Sequence, residues 1–148
     1  MKRILLTYVF TLFATVSSAV EFDEAEVRAM CAEDWPQEQE LQELCLFGER
    51  DGYDEVMVSY DDGDAMDQVL LDLCIDRSGL NWSFVADCFD EQTDAFADFP
   101  YLASRYDGRV SSSIMQDIAV GCREKWRPDL ARQHFCIVRM AWSMIEAN

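Results

Sequence analysis

The chain has 148 residues, half of them apolar, with twelve basic against twenty-nine acidic side chains and a formal net charge of −17. A field of that sign repels nucleic acid and anionic membrane surfaces, and the apolar half excludes a disordered acidic tail. It favours cations and proteins with a basic surface.

The N-terminus, MKRILLTYVFTLFATVSSA, opens on Lys2 and Arg3, continues through an apolar stretch from Ile4 to Val16, and ends in Ser17-Ser18-Ala19. This is the pattern of a secretory signal over residues 1–19, with cleavage after Ala19. The stretch is shorter than the ~20 residues of a spanning helix. The first cysteine is Cys31, so nothing at the cleavage point would carry a lipid. The remaining 129 residues make one domain, with ten basic against twenty-nine acidic residues and a net charge of −19. The expected location is periplasmic or secreted, with no membrane span after cleavage.

Six cysteines follow: Cys31, Cys45, Cys74, Cys88, Cys122 and Cys136. Taken two at a time they are fourteen apart, in CAEDWPQEQELQELC, CIDRSGLNWSFVADC and CREKWRPDLARQHFC. An even number in an exported chain reads as disulfides, and the repeat favours the pairing 31–45, 74–88 and 122–136. On one straight helix, fourteen residues would separate the Cα atoms by about 21 Å. A disulfide tolerates about 7 Å. The chain must therefore reverse inside each segment. Pro36 and Pro128 suit a helix's first turn, Gly79 suits a helix end, and Asn81 can cap the next helix.

Apolar residues recur at helical spacing on both sides of each reversal. Helices are expected at roughly 23–33, 36–49, 64–77, 82–97, 112–125 and 128–146. The connections are then 50–63 and 98–111, which hold Asp51-Gly52, Asp62-Gly63, Pro100 and Asp107-Gly108. Val56-Met57-Val58 has strand character but no evident partner. The expected fold is all-α: three disulfide-closed helical hairpins, about 20–50, 63–98 and 111–148, stacked as a small bundle or short α-solenoid.

The third segment resembles a C-x3-W-x2-D…C signature of small uncharacterised bacterial exported proteins. Cys122, Trp126, Asp129, Leu130, Phe135 and Cys136 match it. Cys31, Trp35, Leu44 and Cys45 match in part, with Glu38 at the Asp position, whereas the middle segment matches only in its cysteines. The resemblance implies disulfide-stapled α-hairpins and carries no activity with it. Twin-Cys helical hairpins of the mitochondrial intermembrane space are similar in plan, with shorter spacing and no cleaved signal.

Motifs for chemistry are sparse. There is no C-x-x-C for zinc or thiol redox work, so no metal or other cofactor is expected. His134, the only histidine, lacks a nucleophile frame such as G-x-S-x-G and reads as a surface or boundary residue. D-D-G-D at 61–64 resembles part of a calcium loop with its glycine misplaced, and reads better as a solvated acidic linker. Met140 and Met144, with Phe135, Ile137, Val138, Trp142 and Ile145, read as a core stripe rather than a copper site. The tryptophans read as core pegs beside the disulfides; exposed, Trp35, Trp82 or Trp126 would make a binding anchor. Asp61, Asp62 and Asp64 are the acidic candidates for partner contact. The favoured class is a non-enzymatic protein-binding module, of inhibitor or immunity type, with a basic partner. The alternatives are an exported carboxylate hydrolase on a helical scaffold, or a structural envelope protein.

Overall fold

A computed structural model describes residues 20–147, apart from Asp62 and Asp64 and the side chain of Asp61. The expected secretory signal and those three aspartates therefore lie outside the described residues or side chains. Six helices follow in order: α1 (Glu24–Asp34), α2 (Gln39–Asp61), α3 (Ala65–Ser78), α4 (Trp82–Arg105), α5 (Ser112–Trp126) and α6 (Leu130–Glu146). The described residues are all-helical, without strands. Disulfides join Cys31 to Cys45, Cys74 to Cys88 and Cys122 to Cys136, with Cα separations of 5.9, 5.7 and 5.8 Å. Each bridge ties the two helices of one hairpin across its reversal, as the spacing predicts.

The starts of four helices follow from short polar side chains. Asp23, Asn81, Ser111 and Asp129 each accept from a backbone N–H three residues on. This satisfies one of the donors that every helix N-terminus leaves open. Between α3 and α4, Gly79 takes a positive φ of 59°, a conformation that favours glycine.

Much of both expected connections is instead helix, while residues 106–111 do connect α4 to α5. Residues 50–61 continue α2, Val56 is buried there, and Val56-Met57-Val58 is not a strand. Gly52 is a contact residue rather than a turn residue: a Cβ at that position would lie 2.7 Å from the carbonyl oxygen of Trp82. Its absence lets α2 approach the start of α4. Likewise α4 runs through Pro100 to Arg105. An interior proline costs about 3 kcal/mol. Burying Leu102 (3 % exposed) and Tyr106 (1 %) just beyond it returns a comparable amount, at about 1.5–3 kcal/mol per large apolar side chain.

Helix α4 is the centre of the arrangement and packs against α2, α3 and α6. One core gathers Val27, Leu70, Leu71, Trp82, Val85 and Phe89 from α1, α3 and α4 around the first two bridges. A second gathers Leu102, Tyr106, Met115, Ile118 and Ile137 around the third.

Buried polar side chains join the hairpins in register. Glu49, four residues after Cys45, accepts from the Ser83 backbone N–H (3.1 Å) and hydroxyl (3.0 Å) at the start of α4. Gln92, four residues after Cys88, accepts from the backbone N–H groups of Leu130 (2.7 Å) and Ala131 (3.1 Å) at the start of α6. Its amide nitrogen donates to Asp129 Oδ1 at 3.1 Å. The second helix of each of the first two hairpins thus caps the second helix of the next. Replacing Gln92 by Leu leaves two N–H groups and a carboxylate short of partners in a buried place. The expected loss is about 2–4 kcal/mol in urea unfolding, at 1–3 kcal/mol for each buried group left unsatisfied. Amide exchange at the start of α6 should accelerate. A change below about 0.5 kcal/mol would contradict this role.

Candidate functional site

The structure separates the sequence-predicted anchors. Trp35 is the C-cap of α1 and 42 % exposed, with its carbonyl accepting from Gln42 Nε2 at 2.7 Å. Trp126 ends α5 half-buried, with Lys125 Nζ 5.0 Å and the Arg132 guanidinium 5.3 Å from its ring centre. Trp82 is a correction to any surface role: it is 2 % exposed and stacks edge-on against Tyr53, their ring centres 4.9 Å apart. Each of the three belongs to a different hairpin. The core-peg reading holds for Trp82 but not for Trp35, nor for Trp142, which is 48 % exposed. The expected stripe on α6 is also displaced. Phe135, Met140, Trp142 and Met144 are exposed, and the buried line is Gln133, Ile137 and Ala141.

His134 is half-buried, and its Nε2 lies 2.6 Å from Asp98 Oδ2. Asp98 also accepts from Arg105 at 2.6 Å. The hydrogen bond to His134, with the help of Arg105, holds the Asp98 carboxyl below its ordinary range despite some desolvation. All six cysteines are in bridges, so no thiol is available as a nucleophile. Among the described residues, no three His, Cys, Asp or Glu side chains gather as metal ligands.

Asp129 is the most enclosed acid of the third hairpin, 3 % exposed. It accepts from the Arg132 backbone N–H (2.9 Å) and from Gln92, and pairs with Arg77 and with Arg132 Nε (3.2 Å). Burial pushes its pKa up, but the Arg132 N–H, Arg77 and Gln92 together outweigh burial and leave it lowered.

Charge is unevenly shared along the chain. Residues 20–104 hold twenty-four acidic and three basic side chains, whereas residues 105–148 hold five acidic and seven basic. The acidic part has an ordered outer face on α4. Asp87, Asp90, Glu91 and Asp94 are all exposed at the i, i+3, i+4, i+7 spacing of one helix face, with exposed Phe84 at its upper end. In the third hairpin, Lys125, Arg132 and Arg139 line a shallow hollow together with Trp126, Phe135 and Met140.

An open apolar groove of about 1160 Å³ lies between the start of α3 and α5, with the end of α4 as its floor. Met66 and Val69 come from α3, and Phe96, Phe99 and Pro100 from α4. Met115 and Ala119 come from α5, and Leu130 and Ile137 from α6. Arg123 and Arg127 stand at one end, and Asp107 and Ser112 at the other. Sequence reasoning missed this groove because residues 98–111 read as a connection. The available signal was Phe96, Phe99, Pro100 and Ala103, which keep helical spacing across the proline.

Compared with protein families, with curated proteins and with solved structures, the chain matches none.

The environment of Asp129 predicts an acid-side effect on stability. Its folded pKa is lowered, so its contribution is full above the ordinary carboxylate value near 3.8 and is lost as pH falls through the folded value. Thermal melts from pH 7 down to about pH 2 should show Asp129→Asn less stable at neutral pH, by about 1–3 kcal/mol. The gap to the native chain should shrink below about pH 4. A constant gap across that range would contradict the assignment.

Proposed function

We propose that this chain is an exported, non-enzymatic binding protein whose acidic surface engages a protein with a basic surface. The observation that carries the reading is the concentration of acid in residues 20–104, ordered on α4 as the exposed stripe Asp87, Asp90, Glu91 and Asp94. Complementary potentials of this kind speed encounter and select partners. Three intramolecular disulfides fit an oxidising compartment, and no described helix is long and apolar enough to cross a membrane.

The rival reading, hydrolysis by a carboxylate pair, asks for an acid in an apolar pocket with a raised pKa. Among the described residues the buried carboxylates are Glu49 and Asp129, and both are engaged at helix N-termini. Glu24, Asp98 and Asp129 have shifted pKa values, and all three are lowered. This supports binding over catalysis.

The test begins with affinity capture from native periplasm or culture fluid at low ionic strength. The captured partner should be basic, and its affinity should fall sharply towards ~0.5 M salt, where the Debye length is only a few ångströms. Replacing Asp87, Asp90 and Asp94 together by Lys should weaken binding at low salt by at least about tenfold, with little change in stability. An affinity that ignores both salt and these substitutions would remove the acidic surface from the account.

A further inference from the structure

We infer that the groove between α3 and α5 is a binding site for a free amphiphile: a single anionic headgroup on a long apolar chain, with the headgroup at Arg123 and Arg127.

The inference starts from the inner face of α5. Ser112, Met115, Ala119 and Arg123 follow one another at helical spacing along the groove, and Arg127, the extended C-cap of α5, continues its lining. Ser112 to Arg123 covers about 16 Å at 1.5 Å per residue. The lining changes from small and apolar to doubly cationic in that direction. Among the described residues, those that α3 and α4 lend to the groove, Met66, Val69, Phe96 and Phe99 among them, carry no charge. The volume of about 1160 Å³ exceeds the ~300–1,000 Å³ typical of compact small-molecule sites. An elongated ligand fits such a trough.

The two arginines supply the headgroup chemistry. Arg28, Arg50, Arg77, Arg105 and Arg132 are held in ion pairs. Arg109, Arg123, Arg127 and Arg139 form none among the described residues, and of these Arg123 and Arg127 line the groove. Two unpaired guanidinium groups four residues apart at the end of α5, beside an apolar trough, complement a carboxylate or a phosphate monoester. Asp107 at the other end repels the headgroup and so sets the ligand's direction. The net charge of −17 disfavours approach to an anionic bilayer, which leaves the dispersed amphiphile as the occupant.

That same charge makes the test discriminating. The field of the whole molecule attracts a cationic amphiphile, so a preference for the anion must come from a local site. Titration calorimetry would use dodecanoate, dodecyl phosphate and dodecyltrimethylammonium, each below its micellar concentration. Dodecanoate or dodecyl phosphate should bind one to one, at least about tenfold tighter than the cation, and the tighter of the two identifies the headgroup. Replacing both Arg123 and Arg127 by Glu should remove that preference. Arg139→Glu, the same charge change outside the groove, should leave it intact, and Ala119→Trp should block the chain-binding trough. Circular dichroism and disulfide mapping would establish that each variant keeps its fold. Absence of binding, tighter binding of the cation, or equal loss in Arg139→Glu would each overturn the inference. The substitutions lie apart from the α4 acidic stripe, so this site and the basic-partner reading fail or survive separately.

Discussion

A disulfide admits Cα atoms no more than about 7 Å apart, yet fourteen helical residues cover about three times that distance. Closing each cysteine pair therefore requires a reversal inside it, and the rest of the architecture follows from three such reversals. Within each hairpin the bridge fixes how the two helices start relative to one another. The first cysteine of each pair is buried, and its partner is partly exposed. The staples therefore lie at the boundary of the cores. Each loop closure contributes on the order of 3 kcal/mol in the chain-entropy model. That strengthens single hairpins, but it does not join one to the next.

Joining depends on the unmet donors at helix N-termini. The position four residues after the second cysteine is Glu49, then Gln92, and each reaches the first turn of the following hairpin's second helix. The position seven residues after the first cysteine is Asn81, then Asp129, the cap of that same helix. Two repeat positions from neighbouring hairpins thus meet at one helix start. At the second junction Arg77 of α3 adds a charge, which makes the cluster an ion-paired network. Buried polar groups of this kind fix the register between elements, because a shift would strand several donors together. In the third hairpin the corresponding residue is Met140, which is exposed.

The pairing was legible in the fourteen-residue repeat of the cysteines, and with that pairing covalent geometry leaves no alternative to a reversal inside each hairpin. Helix lengths were less legible. Asp51-Gly52 and Pro100 resemble connections, yet Gly52 serves a close helix contact and Pro100 is offset by burial of Leu102 and Tyr106. Both are tertiary effects on residues whose local preference points the other way. The same effect hid the groove, since Phe99, Pro100, Leu102 and Ala103 of its floor fall in the expected connection 98–111. The tryptophans misled in another way. Trp35 and Trp126 share a repeat position at the reversal, where Trp35 is exposed and Trp126 half-buried, while Trp82, out of step with them, fills the core against Tyr53. Repetition identified equivalent places in the chain, and burial was decided by what packed over them. Asp61, Asp62 and Asp64 lie outside the described residues or side chains; among the described residues an acidic face is assembled on α4.

Helix α4 also explains how one small chain carries surfaces of unlike chemistry. Its first half presents acid outward and Trp82, Val85 and Phe89 inward. Its second half, past Asp94, lends Phe96, Phe99 and Pro100 to the groove and Leu102 to the second core. The change occurs where Asp98 is engaged by His134 and Arg105, so the last acid of the run is turned to an internal contact. Beyond it the chain becomes slightly basic, and Arg123 and Arg127 stand without acidic partners among the described residues. At 0.15 M salt the screening length is about 8 Å. The α4 stripe and the two groove arginines belong to different helices and face different surroundings, so short-range complementarity governs each. A net charge of −17 thus describes the approach of a distant ion, and local pairing decides what is held at each surface.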